Sequence, residues 1–127
     1  MLDKIKKLKE LKILFVEDES DITDVISDTL SKLDVEFHIC INGKEALEIL
    51  KNHEISLIVT DINMSVMNGI EFLKIVRNGN NHVDCIVMTA YTEDKYKQIA
   101  KDLGVQEYIT KPFNFTEFLD SIDRLIN

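Results

Sequence analysis

The sequence lacks any uninterrupted apolar run near the ~18 residues that a membrane-spanning helix needs. Its first eleven residues alternate Lys with Leu and Ile, and they contain no continuous apolar segment of the kind that a secretory signal peptide has. These two absences argue against a membrane protein and against an exported one. They favour a cytoplasmic location.

Cysteine is also scarce. Cys40 and Cys85 are the two in the sequence, and each lies inside a separate predicted strand. We interpret both as free, buried thiols of a reducing cytosol. A zinc site would need more Cys or His at close spacing, whereas His38, His53 and His82 are scattered along the chain.

Positive charge is in the minority, since 15 Lys and Arg face 23 Asp and Glu and the net charge is -8. Lysines are concentrated in the first twelve residues, so the remainder is more acidic still. An acidic surface repels a phosphate backbone, and direct nucleic-acid binding by this segment is therefore not expected. We interpret residues 1–11 as a basic leader, a solvated helical or frayed end that precedes a domain at residues 12–127.

Strand and helix patterns alternate from residue 12 to the end of the chain. Short apolar runs predict strands at residues 12–16, 35–41, 56–60, 83–89 and 105–110. An amphipathic stretch follows each run, which gives five predicted helices. This alternation with short connections predicts a parallel sheet that has helices on both faces and right-handed crossovers.

Helix-start signals support the same division. Ser20 or Asp21 is the expected cap of the first predicted helix and Thr92 that of the fourth. Asn114, with Glu117 three residues later, resembles a capping box at the fifth. The first predicted helix carries an apolar stripe that we expect to face inward, formed by Ile22, Val25, Ile26, Leu30 and Leu33.

Polar side chains stand where four of the apolar runs stop. Leu57–Thr60 ends at Asp61, and Lys12–Val16 ends at Glu17 and Asp18. Two later runs end at Thr89 and Lys111. The carboxyl ends of parallel strands lie along one edge of the sheet, which predicts that these groups meet there.

Three carboxylates, a hydroxyl and an ammonium in one place fit phosphoryl transfer, where positioning and charge neutralisation do most of the catalysis. Mg²⁺ is bound by a few carboxylates together with backbone carbonyls and waters. Close carboxylates repel one another, so a cation or Lys111 is needed to keep them ionised. Lys111 suits a phosphoryl oxygen, Thr89 can donate a hydrogen bond, and an Asp carboxylate can be the nucleophile that forms an aspartyl-phosphate.

Four segments in order then resemble a known family: Phe15–Glu19, Asp61–Gly69, Met88–Ala90 and Tyr108–Phe113. From about Lys12 to its end, the chain is similar to the receiver domains of two-component response regulators, the family that includes the chemotaxis regulator. The resemblance implies a flavodoxin-like, doubly wound α/β fold with a five-stranded parallel sheet in the order 2-1-3-4-5 and five helices.

The resemblance also implies roles for the matched residues. Asp61 would accept a phosphoryl group from the phosphohistidine of a sensor histidine kinase or a phosphotransfer protein. Glu17, Asp18, Asp61 and the backbone carbonyl of Asn63 would hold Mg²⁺. Lys111 would pair with Asp61 and then with the phosphoryl group.

A switch is implied as well. Thr89 would move toward the new phosphoryl group and Tyr108 would swing inward behind it. The face formed by the fourth predicted helix, the fifth strand and the fifth predicted helix would change, and it could serve an output domain or a homodimer. The Lys111–Pro112 peptide bond is cis in this family.

Some positions depart from the family pattern. Glu17 stands where the first of two Asp is usual, Ser65 where Pro is frequent, and Asn68 where Asp is frequent. Asn63 and Tyr91 occupy two variable positions that tune dephosphorylation in the family.

The leading interpretation is a phosphorylation-activated switch that turns over no external substrate and is in that sense not an enzyme. A magnesium-dependent phosphatase or phosphotransferase would need a substrate pocket and a cap domain, for which 127 residues leave no room. A flavin- or nucleotide-binding module would need a Gly- or Ser/Thr-rich loop where Glu17–Glu19 stands. A degenerate receiver acting as a scaffold is disfavoured by the full acidic site with Thr89 and Lys111.

Overall fold

The computed structural model describes residues 2–90, 94–112 and 114–126. The expected roles of Tyr91, Thr92 and Phe113 therefore fall on residues outside the described part of the chain. The helices and strands follow one another as α1 (Leu2–Lys9), β1 (Lys12–Val16), α2 (Ser20–Lys32), β2 (Glu36–Cys40), α3 (Gly43–Asn52), β3 (Leu57–Thr60), α4 (Gly69–Asn78), β4 (Asp84–Thr89), α5 (Asp94–Asp102), β5 (Glu107–Thr110) and α6 (Phe115–Ile126).

The five strands form one parallel sheet in the order β2-β1-β3-β4-β5. This confirms the predicted sheet and its strand order. The expectation of five helices is wrong, because the described residues form six. The additional helix is α1, and the fourth and fifth helices of the sequence prediction are α5 and α6.

The core consists of two apolar layers, one on each face of the sheet. Successive strand residues alternate between them: Leu14 and Val16 of β1 point to one face, and Ile13 and Phe15 to the other. Helices α3, α4 and α5 cover the first face, and α1, α2 and α6 cover the second. Across residues 2–90, 94–112 and 114–126, no helix combines the length and apolar character needed to cross a membrane.

Helix α1 is docked against the domain. Leu8 is fully buried in the layer that also contains Leu119 and Ile122 of α6. Lys7 Nζ lies 2.5 Å from Asp123 Oδ1, and Lys4 pairs with Asp120. Of the two expected forms, a helical or a frayed end, the structure has the helical one. The expectation that it is solvated is wrong for Leu8, because α6 supplies both an apolar contact and two carboxylates for the lysines.

The start of α2 differs from the prediction. Glu19 is the residue that caps this helix through its backbone, instead of Ser20 or Asp21, and its side chain makes no capping hydrogen bond. The expectation that Val25 faces inward is wrong: it is 66% exposed and lines an open groove of about 550 Å³ between α2 and α6. At α6 the expected cap is present, since the Glu117 N–H donates to Asn114 Oδ1 at 2.9 Å.

We predict that Leu8→Ala lowers the free energy of unfolding by about 2–5 kcal/mol, because it empties a buried position in the core. The matched control is Leu2→Ala in the same helix, where the side chain is 75% exposed and a change within about 0.5 kcal/mol is expected. Urea denaturation monitored by circular dichroism measures both. Equal and small effects would show that α1 does not dock in solution.

A second prediction concerns the free thiols, Cys40 and Cys85, which are both buried as the sequence analysis expected. Burial raises the pKa of Cys40 to about 12, and it raises that of Cys85 to about 11 although the Arg77 guanidinium opposes it. Ellman's reagent at pH 8 should therefore label neither thiol in the native protein and both in guanidinium chloride. Rapid labelling of one native thiol would contradict this placement.

Candidate functional site

Strand register brings two carboxylates together at the carboxyl edge of the sheet. Val16 of β1 is the partner of Thr60 of β3, so the next residues, Glu17 and Asp61, are neighbours. Backbone hydrogen bonds continue past the strands, with Asp61 N–H donating to the Val16 carbonyl at 3.0 Å. Glu17 is fully buried and Asp61 is 4% exposed, so both need a polar partner.

Lys111 is that partner. It follows β5, and its ammonium reaches the cluster from the far side of β4 with only 9% of its side chain exposed. Its Nζ donates to Asp61 Oδ2 at 2.8 Å, to Glu17 Oε1, and to Glu19 Oε1 at 3.1 Å. One ammonium thus joins three carboxylates, and the prediction that Glu17, Asp61 and Lys111 meet is confirmed.

Burial and close charges shift the pKa values of Glu17 and Lys111 in this cluster. Burial raises the pKa of Glu17 to about 7, and the Asp61 charge adds to the effect while Lys111 opposes it. Burial alone would lower the pKa of Lys111, but hydrogen bonds to Asp61 and Glu17 and their charges outweigh it and raise that pKa above its ordinary value. Three carboxylates around one ammonium leave an excess of negative charge that a further cation can balance.

Backbone donors fix the orientation of Asp61. Its Oδ1 accepts the N–H of Ile62 at 2.7 Å and that of Asn63 at 3.4 Å. Its Oδ2 is the oxygen that faces Lys111. The two carboxylate oxygens therefore lie in different surroundings, one held by backbone N–H groups and one by the Lys111 ammonium.

The loop after Asp61 is held by the start of α4. The Gly69 N–H donates to the Ile62 carbonyl at 2.9 Å. Asn68 caps α4 in a reciprocal capping box with Glu71, whereas the sequence analysis noted Asn68 only as a departure from the family pattern. The helix start and the loop after Asp61 are thus one unit.

Thr89 and Asn63 lie at the same edge of the sheet. Thr89 is the last residue of β4 and fully buried, and its carbonyl accepts the Lys111 N–H at 2.8 Å. Asn63 is exposed in the loop two residues after Asp61. The Lys111–Pro112 peptide bond is cis, as the resemblance implies.

Tyr108 lies on β5, three residues before Lys111, and is half-buried against the layer of α5. The Lys97 ammonium of α5 is 5.8 Å from the centre of its ring. Tyr108 therefore links β5 to α5.

The acidic residues after β1 are arranged differently from the sequence expectation. Among the described residues, the carboxylates whose oxygens gather within 4.8 Å of one another are those of Glu17, Glu19 and Asp61. Asp18 is adjacent to Glu17 but exposed. The sequence analysis missed Glu19, although its place as the third acidic residue in a row was a usable signal.

The chemistry of this donor set suits a hard divalent cation. The gathered groups offer carboxylate oxygens, which Mg²⁺ prefers, and they include neither the thiolates nor the imidazoles that are typical of zinc sites. The excess negative charge favours the same kind of ion. This site therefore fits Mg²⁺.

The family model and the relatives that match this chain point to the same family. The family model of the response regulator receiver domain matches residues 13–123. Sporulation initiation phosphotransferase F of Bacillus subtilis is 30% identical over 115 residues, which cover 91% of this chain and 93% of that protein. The response regulator protein FleR of Pseudomonas aeruginosa is 33% identical over 113 residues, or 89% of this chain but only 24% of FleR. The chain thus spans about a quarter of that relative.

The fold has matching solved structures. The chemotaxis response regulator CheY4 of Vibrio cholerae superposes with a TM-score of 0.82 at 32% identity, covering 91% of this chain and 98% of that one. The receiver domain of a Francisella response regulator gives a TM-score of 0.82 at 28% identity, covering 91% and 95%.

The geometry of the loop after Asp61 gives a prediction about Gly69. A Cβ built on Gly69 would lie 1.9 Å from the Asp61 carbonyl oxygen, which is too close for a carbon and an oxygen that are not bonded. Gly69→Ala must therefore displace the backbone that carries Asp61, and we expect a loss of about 3 kcal/mol in stability, as in overpacked cores. Phosphorylation of the remaining folded protein should also slow.

Gly79→Ala is the matched control, since a Cβ there meets its nearest atom at an ordinary 3.6 Å. Thermal unfolding and the rate of labelling by acetyl phosphate are measured for both variants. A Gly69→Ala protein as stable and as reactive as Gly79→Ala would contradict the close approach.

Proposed function

This chain belongs to the response regulator receiver domain family, and we propose that it is a phosphorylation-activated signalling switch whose phosphoryl acceptor is Asp61. The observation that carries the proposal is the buried Asp61 carboxylate held between backbone donors and the Lys111 ammonium. The family consists of switches of this kind. The assignment of the acceptor and of its helpers to particular residues is our own.

The proposed step is transfer of a phosphoryl group from a phosphohistidine. Asp61 Oδ2 forms a bond to phosphorus while the bond from phosphorus to the imidazole nitrogen breaks. Oδ1 remains tied to the Ile62 N–H at 2.7 Å, which keeps the carboxylate from rotating during the attack. Hydrolysis of the aspartyl-phosphate later returns the carboxylate.

Lys111 changes partner in this scheme. It donates to Asp61 Oδ2 at 2.8 Å before transfer, and that oxygen loses its charge when it bonds to phosphorus as an acyl phosphate. The ammonium then pairs with a phosphoryl oxygen, where the negative charge now lies. Because the side chain is only 9% exposed, water competes weakly for the new contact.

We assign Mg²⁺ binding to Glu17, Asp18, Asp61 and the backbone carbonyl of Asn63. Support comes from the adjacent buried carboxylates of Glu17 and Asp61 and from the position of Asp18 and Asn63 at the rim beside them. When bound, the ion supplies positive charge for the phosphoryl oxygens. Asp18 and the Asn63 carbonyl would complete the ligand set of the ion, which would supply positive charge there.

The output of the switch is assigned to the face formed by α5, β5 and α6. Thr89 and Lys111 are joined by a backbone hydrogen bond of 2.8 Å, so a shift of either moves the end of β5. Tyr108, on the same strand, faces α5 and is the residue we assign to report that shift. Differential contacts with the phosphoryl group bias the two states of this face.

We propose further that the phosphoryl donor is a sensor histidine kinase or a phosphotransfer protein, and that an output domain or a second copy of the chain uses the α5, β5 and α6 face.

We also propose that the domain turns over only its own phosphoryl group. It does so in the cytoplasm, where its two thiols stay reduced. Because the net charge is -8, we assign it no direct binding to nucleic acid, and we assign it no membrane partner. The receiver domain itself is assigned to residues 12–127.

The test is incubation with acetyl phosphate, with and without Mg²⁺, followed by intact mass measurement. The wild type should gain one phosphoryl group, only with Mg²⁺, and Asp61→Asn should gain none because an amide is a poor nucleophile. Asp84→Asn is the control: it removes an exposed carboxylate at the opposite end of β4 and should leave labelling unchanged.

Labelling that persists in Asp61→Asn would place the acceptor elsewhere. Folded wild type that is never labelled would reject the switch. Release of free phosphate from p-nitrophenyl phosphate beyond the Asp61→Asn background would instead indicate a phosphatase with an external substrate.

A further inference from the structure

We propose that Glu19 is a positioning residue that retains Lys111 within the carboxylate cluster and competes with the incoming phosphoryl group for its ammonium, so that it slows phosphorylation of Asp61. This inference rests on the proposed function of Asp61. It concerns a residue for which neither the resemblance nor the family pattern supplied a role.

The contact that carries the proposal is an ion pair. Glu19 Oε1 lies 3.1 Å from Lys111 Nζ, and Asp61 Oδ2 lies 2.8 Å from the same nitrogen. An ammonium has three N–H donors, and the carboxylates of Glu17, Glu19 and Asp61 supply an acceptor for each of them. Before transfer, while Asp61 Oδ2 still accepts its hydrogen bond, a phosphoryl oxygen can therefore bind Lys111 only if another carboxylate withdraws.

Burial identifies which carboxylate withdraws. Glu17 is fully buried, so moving its charge away from Lys111 would leave an unpaired ion in the core. Asp61 is the reacting group and is only 6% exposed at its side chain. The Glu19 side chain is 59% exposed, so water can solvate its carboxylate as soon as it leaves.

The backbone of Glu19 is fixed, which keeps its carboxylate near the site. Its carbonyl accepts the N–H groups of Ile22 and Thr23, both at 3.1 Å, at the start of α2. The side chains at the corresponding positions of α3 and α4, Asn42 and Asn68, both cap their helices. The Glu19 side chain makes no such bond and reaches Lys111 instead.

Glu19 also adds charge where a dianion must enter. The cluster already holds Glu17 and Asp61, and the third carboxylate repels the phosphoryl donor while it occupies Lys111. Both effects act before the bond to phosphorus forms. They slow the forward transfer more than they alter the finished aspartyl-phosphate.

The test compares Glu19→Gln with the wild type in phosphorylation by acetyl phosphate at saturating Mg²⁺. Glutamine keeps the shape and the backbone cap but removes the charge. The second-order rate constant should rise about three- to fivefold, the size expected for one partly exposed ion pair. The rise should persist at high salt, because a direct contact is screened less than a distant charge.

Asp24→Asn is the matched control, since it removes one exposed carboxylate from the same helix. Its rate should stay within about twofold of the wild type and approach it as salt is added. Equal effects of the two variants would overturn the proposal and leave only a general charge effect.

Two other outcomes also decide the matter. If Glu19→Gln is slower and requires more Mg²⁺, Glu19 is a metal ligand and the proposal is wrong. If the wild type itself is never labelled, the proposed function fails, whereas a labelled wild type with an unchanged Glu19→Gln rate rejects this inference alone.

Discussion

The Lys111 ammonium is the interaction on which the site depends. Glu17 is fully buried and Asp61 nearly so, and an uncompensated carboxylate in either place would cost several kcal/mol. Lys111 approaches from β5, two strands away from β3, so one ion-pair cluster ties together the ends of β1, β3 and β5. The same contacts therefore stabilise the edge of the sheet and hold the reacting groups in place. A reaction that changes the partners of Lys111 also changes the contacts at that edge.

Parallel register explains why so much of this site could be predicted from the sequence. In a buried parallel strand the first residue past the apolar run emerges at the carboxyl edge, and that rule alone placed Glu17, Asp61 and Lys111 together. A slip of one residue would turn each strand's side chains to the opposite face, so the apolar pattern leaves little freedom. Loop residues obey no such rule. Glu19 was missed because its direction depends on the first turn of α2, where its backbone rather than its side chain caps the helix.

For the helices that cover the sheet, too, the sequence pattern predicts the helix but not which element packs against it. Val25 belongs to a stripe with helical spacing, but the stripe does not reveal that α6 leaves a groove beside it. In α1 the pattern of lysines with Ile5 and Leu8 is too short to separate a solvated segment from a docked one. Whether α1 docks depends on the surface of α6 with Asp120 and Asp123, more than a hundred residues away in the sequence. Local sequence fixes a helix more readily than it fixes what covers the helix.

These contacts constrain how a change at the site can spread. On one side of α6, Ser121 donates to Glu107 of β5 at 3.0 Å and Arg124 donates to it at 2.8 Å. These hydrogen bonds bind α6 to the strand that precedes Lys111. On its other side, α6 holds α1 through two ion pairs and the buried Leu8. A rotation of α6 must therefore break one of these sets or carry α1 with it. Helix α1 is followed in the chain by β1 and Glu17. A movement of α6 that carries α1 along therefore also pulls on the strand that leads to the carboxylate cluster.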